Sequence, residues 1–265
     1  MKHTFQITFL LLGLFLLSHI IGLVVVDSFL GEELPLNLER PDMDAKGSFL
    51  TIVFAIVFVT VIALLLMKFK LFGLWKFWFF LSVFLTLTIS FSAFFSETLA
   101  LVVAVFLALW KVLRPNMYVH NFTELFVYAA IAVIFAPLLT IPSVILLLVA
   151  ISIYDYIAVR KTKHMITLAK MQDKLKVFAG FFIPYGKNVA ILGGGDIGFS
   201  LLFSSVVFSV YNLGLLDFRT YIVPLFSMLA LGFLFMRGEK KKYYPAMPYI
   251  TAGCLIGLGI VLLLV

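Results

Sequence analysis

Nine apolar runs, each close to the length of a membrane crossing, leave this chain little choice of fold. They cover residues 5–26, 48–67, 71–94, 98–113, 122–139, 143–159, 189–216, 221–236 and 245–265, the fourth and eighth being short. A helix needs about 20 apolar residues, within ~17–25, to cross the hydrocarbon core. Inside that core only helices and closed barrels satisfy their own backbone. Charged residues are 12% of the chain, half the figure of about 25% for a soluble domain. The expected fold is an all-α polytopic membrane protein of nine helices. The first run is too long for a signal-peptide core and leads into acidic residues rather than a small-residue cleavage site, so it reads as a retained helix.

The basic residues suggest an orientation. With the N-terminus in the cytoplasm, the cytoplasmic side takes Lys2, Lys68, Lys70, Lys76, Lys111, Arg114, the seven basic residues from Arg160 to Lys187, and Arg237, Lys240, Lys241 and Lys242. The outer side takes Arg40, Lys46 and Arg219, so 17 of the 20 basic residues lie inside, as the positive-inside rule requires. The C-terminus then lies outside. The net charge of +7 reads as a topology signal rather than a nucleic-acid surface, because the charges are scattered among membrane loops. The loop 27–47 carries six acidic and two basic residues and reads as a solvated outer connection. Three parts are expected: a six-helix bundle over 1–160, a cytoplasmic loop with a short apolar segment over 161–188, and a three-helix part over 189–265.

Two aspartates interrupt this apolar pattern. Asp155 lies in the sixth run and Asp196 in the seventh, directly after Gly193-Gly194-Gly195. A charged carboxylate in lipid costs at least ~2.5 kcal/mol, so such residues are rare and point to function. The other 11 acidic residues fall in loops or near run ends, where water is expected to reach them. At about 1.5 Å per residue, Asp155 is placed ~7 Å and Asp196 ~12 Å inside the cytoplasmic face. Pro245-Ala246-Met247-Pro248 opens the ninth run from the same face.

Two facing carboxylates cannot both ionise and come to share a proton. One can then activate a water while the other polarises a carbonyl. That chemistry needs no metal or cofactor, and none is expected. The lone Cys254 excludes an intrachain disulfide and a multi-cysteine metal site, and the four histidines form no pair at ligand spacing. His19 reads as a hydrogen-bonded packing residue. The glycines either let a substrate backbone approach or serve close helix packing, and inside a helix they would cost about 1 kcal/mol each. The two prolines either free backbone carbonyls near the aspartates or mark an ordinary helix start.

Tyr154-Asp155, Gly193-Gly194-Gly195-Asp196 and Pro245-Ala246-Met247 resemble the motifs of the presenilin and signal peptide peptidase family of intramembrane aspartyl proteases. That family carries Tyr-Asp, Gly-x-Gly-Asp and Pro-Ala-Leu on helices six, seven and nine of a nine-helix fold. The resemblance implies that Asp155 and Asp196 are the catalytic pair. It implies that Tyr154, Gly193, Gly194, Gly195, Pro245, Ala246 and Met247 shape the site and contact substrate. The implied substrates are transmembrane helices of other proteins in the lipid bilayer. Met247 stands where the family usually has leucine, a volume-conserving change. The loop between the sixth and seventh runs lacks the long insertion of animal presenilins, so no autoproteolysis segment and no obligate accessory subunits are expected. The chain resembles the compact archaeal members, which implies a prokaryotic cell membrane. A homo-oligomer is left open.

The segment 177–185 is apolar but too short to span. It reads either as a re-entrant segment that pairs with an unwound substrate as an added strand or as a helix lying at the interface. Two other functions compete with the intramembrane protease. A prepilin-peptidase-like membrane protease also uses Gly-x-Gly-Asp. A secondary transporter or ion channel would bind protons or cations at the aspartates, in helices broken at Pro137, Pro142 and the glycine run. No inverted repeat supports the latter.

Overall fold

The computed structural model describes residues 4–40, 48–161, 178–186, 188–239 and 244–265. The described residues form nine α-helices and one β-hairpin. The helices are α1 (Phe5–Ser28), α2 (Ser48–Lys68), α3 (Phe72–Ser92), α4 (Glu97–Leu113), α5 (Met117–Phe135), α6 (Ile141–Tyr156), α7 (Gly194–Val210), α8 (Ile222–Arg237) and α9 (Met247–Leu264). The hairpin pairs β1 (Gly180–Tyr185) with β2 (Asn188–Gly193) in antiparallel register. Seven helical segments are long and apolar enough to cross a membrane, whereas α7 is shorter. Much of the loop 161–188, and most of the basic residues used to orient the chain beyond α6, lie outside the described residues.

The core is organised around α7. Its residues Ile197, Gly198 and Ser200–Phe208 are buried, and α1, α5, α6, α8 and α9 all pack on it. So buried a helix must satisfy its own polar side chains. Ser200, Ser204 and Ser205 do so by donating to the carbonyls of Asp196, Ser200 and Leu201, four residues back, at 2.7–2.9 Å. His19 on α1 is fully buried, its Nδ1 2.8 Å from the Phe15 carbonyl and its Nε2 3.0 Å from Ser200 Oγ. It ties α1 to α7 as a packing residue. A second, smaller core joins α3 to α4.

Small residues let helices approach closely where hydrocarbon offers no hydrophobic drive to associate. A Cβ on Gly253 of α9 would sit 2.5 Å from the Phe226 carbonyl of α8, and one on Gly257 would sit 2.8 Å from Val223 Cα. Beyond α7, Asp217 accepts from Arg219 N and Nε at 2.9 and 2.8 Å. Those bonds hold its carboxyl below the usual carboxylate range. Arg219 Nη1 also donates to the Leu264 carbonyl at 3.2 Å, fastening the start of α8 to the end of α9.

The seventh apolar run departs from expectation. It is not one helix from residue 189 but a strand followed by a helix that begins at Gly194. Two apolar stretches flank a turn at Gly186 (φ +55°), a conformation that suits glycine and closes the hairpin. Asp196 is therefore the third residue of its helix, not a residue ~12 Å along it. Gly193 ends the strand, and Gly194 and Gly195 lie in the first turn, so the interior-helix cost expected for the three does not arise. The strand also excludes an interfacial helix over 180–185.

Candidate active site

Three elements carry the two aspartates and the motif that opens α9. Asp155 is the penultimate residue of α6, and α6 continues into a π-helical turn, Ile157–Lys161. Asp196 lies in the first turn of α7. Helices α6 and α7 pack together, and α9 packs on both. Asp155 and Asp196 are each half-buried.

The N-terminus of α9 meets Asp155 directly. The Met247 N–H donates to Asp155 Oδ2 at 3.1 Å. First-turn N–H groups have no partner within their own helix, and the helix dipole favours a carboxylate there. Pro248 sits in that first turn, where a missing N–H removes no helix bond. The Pro-Ala-Met-Pro stretch thus supplies a backbone donor to an aspartate, while the Ala246 carbonyl accepts from Tyr249 N and Ile250 N, both at 3.1 Å. Pro245 and Met247 are buried and Ala246 is half-buried.

The remaining motif residues divide between access and packing. A Cβ on Gly193 would meet Asp196 Oδ2 at 3.3 Å, and Gly195 is exposed. Gly194 lies against α5, where an added Cβ would meet Tyr128 Oη at 2.7 Å. Gly194 therefore serves close packing, as the second reading of the glycines has it. Tyr154 points toward α2, its hydroxyl 3.4 Å from Thr60 Oγ1.

A buried charged cluster beside this site was missed in the sequence. Glu124 is 1% and Lys111 2% exposed, and they form an ion pair. Glu124 also accepts from the Tyr128 hydroxyl, and from the Gly180 N–H at 2.8 Å. Glu124 is thus not within reach of water near a run end, and Lys111 is not a solvated loop charge. Helix α5 begins five residues before its apolar run, capped by Asn116, which accepts from Tyr118 N at 2.8 Å. The spacing of His120, Glu124 and Tyr128, four residues apart on one helix face, was the available signal.

This geometry has relatives. The signal-peptide peptidase, presenilin aspartyl protease family matches residues 12–195, more than half of the chain. The chain belongs to that family. Its activity is that of an intramembrane aspartic endopeptidase, and this decides against the prepilin-peptidase and transporter readings. Two solved structures of a presenilin family intramembrane aspartate protease, in space groups C222 and P2, share the fold. The first has a TM-score of 0.68 at 22% identity, covering 97% of this chain and 99% of that one. The second has 0.69 at 21%, covering 96% and 97%. No curated protein matches the chain. The family match takes in Asp155 but stops one residue before Asp196 and does not reach Pro245–Met247.

Proposed function

We propose that Asp155 and Asp196 are the catalytic dyad, and that this protease cuts transmembrane helices whose N-termini lie outside the cell. The carrying observation is the Met247 N–H on Asp155 Oδ2 at 3.1 Å, which joins two of the three motifs. Backbone donors at the start of α9 orient the Asp155 carboxyl for a water or a shared proton. The pair then works as an acid and a base: one carboxylate draws a proton from water, and the other protonates the substrate carbonyl.

A transmembrane helix hides its peptide bonds, so cleavage requires local unwinding. The β-hairpin supports a role in holding the unwound segment as an added strand. Pro245, Ala246, Met247 and the glycines beside Asp196 would border that segment. The charge distribution supports a cytoplasmic N-terminus and an outer C-terminus, and the short loop between the sixth and seventh apolar runs supports a prokaryotic cell membrane and action without accessory subunits.

The test is cleavage of a reconstituted transmembrane reporter by the purified protein. Wild type is expected to cut within the apolar segment. Asp155→Asn and Asp196→Asn are each expected to abolish cutting while keeping the fold; at position 155 asparagine still accepts from the Met247 N–H. Residual cleavage by either variant would remove its aspartate from the dyad. Equal cleavage of reporters in both orientations would overturn the substrate preference.

A further inference from the structure

Strand β1 has two edges, and α5 closes the outer one. In the observed register the Gly194 N–H donates to the Ala179 carbonyl at 3.1 Å. By antiparallel alternation, Phe181, Ile183 and Tyr185 then point their backbone groups at β2, and Gly180, Phe182 and Pro184 point theirs outward. Each outward group of Gly180 and Phe182 is met by an α5 side chain. The Gly180 N–H donates to Glu124 Oε2 at 2.8 Å, and His120 Nε2 donates to the Gly180 carbonyl at 2.7 Å. The Phe182 N–H donates to Asn121 Oδ1 at 3.0 Å, and Asn121 Nδ2 donates to the Phe182 carbonyl at 2.9 Å. The Asn121 amide thus pairs with Phe182 as a neighbouring strand would. Pro184 has no N–H to offer.

The same helix also bears on the start of α7. Tyr128 donates to Glu124 and lies against Gly194, one residue past the strand and two before Asp196. Lys111 of α4 neutralises Glu124. Strand β1 is therefore held in register by α5 at Gly180 and Phe182, and the ladder runs on through the Gly194 N–H into the first turn that carries Asp196.

We propose that His120, Asn121 and Glu124 are positioning residues that set the register of the hairpin against Asp196, and so select which peptide bond of the substrate is cut. The inference rests on the Asp155–Asp196 reading. A slip of about an ångström in a supporting contact costs up to ~100-fold in rate, so loosening the clamp should alter where and how fast the bond is cut.

The experiment maps cut sites by mass spectrometry on one transmembrane reporter, with kcat, KM and thermal stability measured in parallel. The variants are Asn121→Leu, which loses both bonds, and Asn121→Ser, which can keep one. Asn121→Leu should spread cleavage to neighbouring peptide bonds and lower kcat roughly 10- to 100-fold, with KM changing far less. Asn121→Ser should fall between it and wild type. Unchanged cut sites and kcat in folded Asn121→Leu would overturn the proposal. A loss that merely tracks the unfolded fraction in both variants would also overturn it, leaving Asn121 a structural residue. Cleavage that survives in the aspartate variants would remove the dyad, a failure distinguishable from a failure of the clamp.

Discussion

At the scale of single residues, the Lys111–Glu124 pair shows what burial does to a charge. Breaking a buried pair costs about 3–5 kcal/mol, because the surviving ion is left without compensation. Lys111→Met should therefore lower thermal stability by that order, read in detergent micelles. Lys111→Met with Glu124→Gln should recover most of it, since neither side chain then carries charge. A double variant as unstable as the single would show that the pair matters through packing alone. Asp155 is the contrasting case. Its partner is a backbone N–H at a helix start, so Asp155→Asn should leave stability nearly intact while activity disappears.

At the scale of elements, close approach is written in glycines whose absent Cβ a neighbour already fills. Gly253→Ala would press on the Phe226 carbonyl and Ser227 Cα of α8, at 2.5 and 2.8 Å. The backbones must separate, at an expected cost of about 1–3 kcal/mol. Gly259 lies on the same helix with nothing within 4 Å. Gly259→Ala should therefore be neutral or stabilising by up to about 1 kcal/mol through helix propensity. Thermal denaturation of the two variants side by side tests this, and equal effects would refute the packing argument. The hairpin is the element the apolar pattern hid. Apolar residues 189–192 look the same whether they begin a helix or form a strand, and only Gly186 and Pro184 distinguish the two.

At the scale of the whole molecule, the helices are unequally held. Only 6% of the crossing segment of α2 is buried, against 22–50% for the other six long spans. Helix α2 packs on α6 and α3 and presents most of its surface to lipid. Low local contact density means low local stability. Hydrogen exchange followed by mass spectrometry should find α2 the least protected of these spans, and protection equal to that of α1 or α5 would contradict the reading. Sequence by itself determined the membrane class, the helix count, the family motifs and the two aspartates. Hydropathy and a carboxylate in an apolar run are local properties, legible one residue at a time. Only the tertiary structure decided that residues 180–193 form a hairpin, that Asp196 opens its helix, that Met247 serves Asp155 through a backbone N–H, and that Glu124 and Lys111 are buried together. Each of these depends on which segment lies beside which. Apolar composition sets that a segment is buried, but not what it is buried against.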